Sequence, residues 1–163
     1  VIDWALEVTG TIEFKYRPVD SLSGGQRQRV WIAMALAQET EIIFLDEPTT
    51  YLDMAHQLEV LELLQKLNIE QERTIVMVLH DLNQAARFAD YMIAMKEGRI
   101  IKAGNCEEVI TPDVLRKVFQ IDALIGRDPR TNKPMCLTYN LVKGETKDEK
   151  MDIPVFTALS ANY

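Results

Sequence analysis

The chain lacks the loop with which many nucleotide-binding proteins hold phosphate groups. That loop has the pattern Gly-x-x-x-x-Gly-Lys followed by Ser or Thr, and its backbone N–H groups and lysine contact the β- and γ-phosphates. None of the seven glycines has this spacing. The chain also begins at Val1 rather than at methionine. We therefore expect it to be the C-terminal portion of a longer protein.

Other scarcities narrow the classes of protein further. The two cysteines, Cys106 and Cys136, match no metal-binding spacing, so we expect reduced thiols. No stretch approaches the roughly 20 apolar residues of a membrane-spanning helix, so any membrane association is expected to come through a partner. The chain has 18 Lys and Arg residues and 25 Asp and Glu residues, so its net charge is −7. This acidic balance argues against nucleic-acid binding, which requires a basic face.

The segment 22–26, Leu-Ser-Gly-Gly-Gln, is the most informative pattern that is present. An apolar periodicity follows it at Val30, Ala33, Met34 and Ala37 and predicts a helix with Ser23 as its N-cap. The Ser23 hydroxyl and the N–H groups of Gly24 and Gly25, at the positive end of the helix dipole, would suit a phosphate. The alternative is a capping box, in which Gln26 bonds back to the Ser23 amide.

An apolar run at 42–45 leads into Asp46, Glu47 and Pro48. The continuous run predicts a strand that is buried on both faces, as in parallel sheets. Carboxylates at the C-terminal end of such a strand lie where open α/β sheets place their ligands. An unpaired buried carboxylate is costly, so the pair is expected to handle a metal ion or a proton.

A second apolar run, 74–79, ends at His80. Between the two runs, Asp53 is the expected N-cap of a helix, so the pattern predicts a strand–helix–strand unit with parallel strands. In that unit Asp46, Glu47 and His80 would lie at the same edge of the sheet.

These patterns, in this order, resemble the ATP-binding subunit of an ABC transporter. Residues 22–26 match the ABC signature, 42–47 the Walker B strand, 50–53 the D-loop, and His80 the switch histidine. The local sequence at 49–53, 80–85 and 128–136 is similar to that of the ATPases of bacterial iron–siderophore importers of the ferric citrate and hydroxamate type. The implied fold is α/β, the C-terminal part of a P-loop NTPase fold with a parallel sheet. It lacks the P-loop strand and is followed by a small β-hairpin and helix extension.

The resemblance also implies catalytic roles for three residues. Asp46 would hold Mg²⁺, through water because magnesium dehydrates reluctantly. Glu47 would be the general base for the attacking water. His80 would contact the γ-phosphate of ATP. In isolation, Asp46 could simply cap a helix or stabilise a turn, and His80 could be a loop histidine with its hydrogen bonds satisfied. The order of these residues along the chain favours the catalytic interpretation.

A second set of residues is implied to bind ATP that is held by the opposite subunit. In this family the signature of one subunit completes the ATP site of the other, in a two-fold symmetric dimer that sandwiches two ATP molecules. On this basis Ser23, Gly24, Gly25, Gln26 and Asp53 would face the cofactor or the partner. Further implied partners are transmembrane permease subunits and, through them, an external binding protein. The implied location is the cytoplasmic face of the bacterial inner membrane.

Three segments are expected along the chain. Residues 1–40 would end a helical subdomain and carry the signature. Residues 41–142 would form the C-terminal part of the ATPase core and its extension, and 143–163 a charged, mobile tail. In related ATPases the P-loop strand lies between the strand that ends at His80 and the strand that begins near Tyr91. We therefore expect the chain to close this gap, with 153–163 as a candidate filler, or to associate through it.

Two other function classes remain open at this stage. A non-transport ABC ATPase of the DNA-repair or chromosome type would carry a long heptad coiled coil before the signature, and residues 1–20 show no sustained heptads. A non-catalytic regulatory fragment would fit a chain without its own phosphate loop.

Overall fold

The structure is a computed structural model that describes residues 1–142 and 155–160. Its helices are α1 (Ile2–Val8), α2 (Gly24–Leu36), α3 (Met54–Gln71), α4 (Leu82–Phe88), α5 (Cys106–Val109) and α6 (Pro112–Phe119). Its strands are β1 (Ile42–Leu45), β2 (Thr74–Leu79), β3 (Tyr91–Lys96), β4 (Arg99–Gly104), β5 (Ile121–Arg127), β6 (Pro134–Leu141) and β7 (Val155–Ser160). No helix within these ranges is long and apolar enough to cross a membrane.

The main sheet has the strand order β1-β2-β7-β3-β4. Strands β1 and β2 are parallel, with Ile43 opposite Ile75, and α3 makes the crossover between them. The predicted strand–helix–strand unit is therefore confirmed. Strands β3 and β4 form a hairpin, and β5 and β6 form a second hairpin that belongs to the C-terminal extension.

Strand β7 lies between β2 and β3 and is antiparallel to both. Ala158 is opposite Met77 on one side and Met92 on the other. The prediction that the C-terminal segment fills the gap is confirmed for residues 155–160. The expected mobile tail falls, at 143–154 and 161–163, outside the described residues, and at 155–160 the chain instead forms this strand.

The prediction that β1 is buried on both faces is wrong. Ile43 is buried in the same cluster as Ile75 of β2, whereas Phe44 is 74% exposed and Ile42 49%. The helical layer covers the face that carries Ile43, and alternate residues of a strand point to opposite faces. A continuous apolar run does not show whether a strand is covered on one face or on both. In the described part of the chain, β1 is covered on one face only.

Helix α2 forms where it is expected but buries a different face. Ile32 and Leu36 are fully buried together with Ala33, while Met34 is 60% exposed. This face packs against α1 and α3. Apolar side chains of different sizes lie on more than one side of α2, so its amphipathic pattern is weak. For this reason the predicted stripe shares only part of the buried face.

The C-terminal extension is joined to α4 by a side chain that imitates backbone pairing. Asn83 accepts a hydrogen bond from the Cys136 N–H (2.8 Å) and donates one to the Cys136 carbonyl (3.1 Å). Asp81 caps α4 by accepting from the backbone N–H groups of Asn83 and Gln84. The β6 strand is thereby fixed to the helix that directly follows His80.

Replacing Asn83 with alanine is expected to lower the free energy of unfolding by about 1–2 kcal/mol, because both Cys136 backbone groups lose their side-chain partner. Asn140→Ala, an exposed change on the same β6 strand, is the control and should shift it by less than about 0.5 kcal/mol. Urea unfolding of the variants would measure this. Equal stability of Asn83→Ala and the parent would contradict the prediction.

Candidate functional site

Two adjacent strand ends bring a carboxylate and an imidazole into contact. Strand β1 ends just before Asp46 and Glu47, and β2 ends just before His80. Since the two strands are parallel neighbours, their carboxyl ends share one edge of the sheet. His80 Nε2 lies 2.6 Å from Glu47 Oε1. The predicted convergence of Glu47 and His80 is therefore confirmed.

The Glu47 carboxylate is held at both of its oxygens. While His80 contacts Oε1, the Thr50 hydroxyl donates a hydrogen bond to Oε2 at 2.9 Å. Glu47 itself has φ 49°, a left-handed conformation that turns the chain sharply after β1. These hydrogen bonds, that from His80 first and that from Thr50 second, lower the pKa of Glu47. The side chain is 39% exposed, so the carboxylate remains within reach of water.

Asp46 lies at the same strand end but has an exposed environment. Within residues 1–142 and the β7 strand, no group of three His, Cys, Asp or Glu side chains is placed to hold a metal ion. One carboxylate nevertheless suits Mg²⁺, which keeps several waters and takes further oxygens from substrate phosphates. Asp46 therefore fits a magnesium ion that is bound with a nucleotide, and does not fit a site built from protein ligands alone.

The turn at Ser23 forms the capping box. The Ser23 hydroxyl accepts a hydrogen bond from the Gln26 N–H (3.3 Å), and Gln26 Oε1 accepts one from the Ser23 N–H (3.0 Å). Ser23 is thus confirmed as the N-cap of α2. The capping box leaves the N–H groups of Gly24 and Gly25, which lie in the first turn and have no intrahelical acceptor, at the positive end of a 13-residue helix.

Asp53 is the N-cap of α3, as predicted from the sequence. Its Oδ1 accepts a hydrogen bond from the His56 N–H at 2.9 Å, and His56 Nδ1 lies 2.8 Å from both carboxylate oxygens. The bond from the His56 backbone, followed by that from its side chain, lowers the pKa of Asp53.

The predicted residues thus form two clusters. The first consists of Glu47 and His80. The second consists of the turn at 23–26 and the start of α3, which lie beside each other. In the described part of the chain, no hydrogen bond or ion pair joins Ser23 or Gln26 to Glu47 or His80. Thr50 and His56 were not predicted from the sequence as residues of the site. Both stand three residues after an acidic residue that begins a turn or helix, and this spacing was the available indication.

A groove of about 420 Å³ lies elsewhere, between α4 and the turn that joins β5 to β6. Its walls include Met54, Leu58, Arg87, Lys133 and Met135. Ser23, Glu47 and His80 do not line it, although Met54 at the start of α3 and Asp81, next to His80, do.

The chain is similar in sequence to a known family and to individual ATP-binding proteins. The family described as ABC transporter matches residues 1–50. The chain is 68% identical over 145 residues to the iron(3+)-hydroxamate import ATP-binding protein FhuC of Bacillus subtilis (strain 168). The matched region covers 89% of this chain and 54% of that protein. The chain therefore spans about half the length of the curated relatives it matches.

Solved structures show the same fold. An inward-facing putative metal-chelate type ABC transporter matches with a TM-score of 0.75 and 31% identity, over 83% of this chain and 55% of the other. An ATP-binding cassette solved as a dimer in a post-hydrolysis state with ADP and Pi matches with a TM-score of 0.55 and 39% identity, over 63% and 44% of the two chains. The predicted fold class, a partial P-loop NTPase fold, is confirmed.

Proposed function

The chain belongs to the ABC ATPases, as one part of such a protein, and from this we propose that the full-length protein is the nucleotide-binding subunit of an importer. In this proposal ATP hydrolysis drives uptake of an iron–siderophore or a related metal complex. The class of solute is supported by the 68% identity to a protein whose name gives iron(3+)-hydroxamate import.

The observation that carries the proposal is the Glu47–His80 pair at the ends of two parallel strands. Phosphoryl transfer to water depends on a positioned nucleophile and on neutralised charge more than on covalent catalysis by the protein. In this proposal Glu47 orients the attacking water and takes its proton, a role worth about 10²–10⁴-fold in typical enzymes. His80 holds the carboxylate at Oε1 and contacts the γ-phosphate.

Asp46, one residue before the base, would hold magnesium through water. Bound there with the nucleotide, Mg²⁺ would supply positive charge to the phosphates. The exposed position of Asp46 leaves room for the water shell.

The turn at 23–26 is proposed to act on ATP that is bound by a second subunit. The N–H groups at the start of α2 favour an anion, and residues 22–26 match the signature that in this family completes the ATP site of the opposite subunit. Asp53 would face the same partner. The dimeric cassette among the similar structures supports this arrangement. Permease subunits, an external binding protein reached through them, and the cytoplasmic face of the bacterial inner membrane complete the proposal.

We expect the full-length protein to hydrolyse Mg-ATP and the 163-residue chain alone to show no turnover above its own Glu47→Gln variant. The reason is that the chain contains the base but no loop for the β- and γ-phosphates. Phosphate release at millimolar Mg-ATP would measure both.

Two results would oppose the proposal. A full-length protein without ATPase activity would remove the enzymatic role. Hydrolysis by the isolated chain that Glu47→Gln abolishes would mean that a different phosphate site exists within residues 1–163.

A further inference from the structure

The start of α2 rests on a side chain from the start of α3. Gly25 is buried, and a methyl group at this position would lie 2.7 Å from His56 Cδ2 and 3.2 Å from His56 Cγ. Real side chains do not approach so closely, so the imidazole occupies the space that a larger residue at 25 would need. The neighbouring Gly24 differs, because a methyl group there would meet only Leu52 Cδ2 at an ordinary 3.7 Å.

The imidazole is fixed from its other side by Asp53. His56 Nδ1 lies 2.8 Å from both Asp53 carboxylate oxygens, and the His56 N–H bonds the same carboxylate. The ring therefore cannot turn away from Gly25 without losing its bond to the residue that caps α3. One acidic residue thus orders both the helix start and the ring that packs on α2.

We propose that His56 is a positioning residue for the anion-binding turn at 23–25. Its ring, oriented by Asp53, fixes the Gly24 and Gly25 N–H groups relative to the start of α3. This inference rests on the proposed function, in which those N–H groups meet a nucleotide phosphate. It also assigns Gly25 a packing role: the residue is glycine because His56 fills the space above it.

The packing role can be separated from the competing explanation, in which Gly25 is glycine only so that a phosphate can approach. Gly25→Ala should lower the melting temperature of the 163-residue chain by about 3 °C or more, since the ring must leave its place. The double variant Gly25→Ala/His56→Ala should melt within about 1 °C of His56→Ala alone, because truncation of the ring makes room for the methyl group. Gly24→Ala is the matched control and should melt like the parent.

The positioning role is tested on ATP hydrolysis by the full-length protein. His56→Ala should raise the KM for ATP about tenfold while kcat stays within about twofold, because the phosphate-facing turn is loosened and the Glu47–His80 pair is not. His56→Phe, whose ring fills the space over Gly25 but cannot bond to Asp53, should recover only part of the KM. Gln65→Ala, an exposed change on the same helix, should match the parent.

The outcomes are distinguishable. A double variant as unstable as the sum of its single changes, or a His56→Ala protein with the parental KM, would overturn the inference. Glu47→Gln is assayed beside them. If it retains full turnover, the proposed function fails; if it abolishes turnover while the His56 variants behave like the parent, only the role of His56 fails.

Discussion

Glu47→Gln in the full-length protein is expected to reduce ATP turnover by at least about 10²-fold, the usual contribution of a general base. Glutamine keeps the shape of the side chain, and its single amide oxygen can still accept a hydrogen bond from either His80 or Thr50, which contact different oxygens of the Glu47 carboxylate. It cannot take a proton from water. Steady-state phosphate release would measure the loss.

The same variant should still form the ATP-bound dimer, because nothing that contacts the partner has changed. Ser23→Arg provides the contrast: a long cation at the N-cap would crowd the facing nucleotide and break the capping box, so dimerisation itself should fail. Light scattering with and without ATP separates the two. Turnover of Glu47→Gln at the parental rate would show that another group is the base.

The parts of the structure that could be predicted from the sequence depend on local patterns. Asp53, Asp81 and Thr111 each precede an apolar periodicity, and each caps a helix. The Glu47–His80 contact was predictable for a geometric reason, since two parallel strands joined by a helix place their carboxyl ends at one edge.

What could not be predicted depends on which faces of each element are covered. The run at β1 gave no indication that Phe44 would be exposed, because a strand covered on one face and one covered on both can carry the same apolar residues. The two supports, Thr50 on Glu47 and His56 on Gly25, arise from turn geometry and from the approach of two helices. Thr50 and His56 each stand three residues after an acidic residue, a spacing that is too common to single them out without the fold.

Removal of the C-terminal segment is expected to have the largest effect on the structure itself. A chain that ends at Val142 loses β7, which pairs with β2 from Ile75 to Leu79 and with β3 from Tyr91 to Met95. Backbone groups on both strands would lose their partners, and each buried unpaired group costs about 1–3 kcal/mol. Ile75, Leu79 and Met92 are fully buried, so this loss falls in the middle of the core.

The truncated chain is therefore expected to associate through the open strand edges or to lose its cooperative thermal transition. Light scattering and calorimetry of the two lengths would measure this, and a synthetic peptide of residues 153–163 should restore the monomer and the transition. Ala158→Pro in the full 163-residue chain is the point-mutation counterpart, since proline cannot donate to a neighbouring strand. A truncated chain that stays monomeric and melts at the parental temperature would show that β7 contributes nothing to closing the sheet.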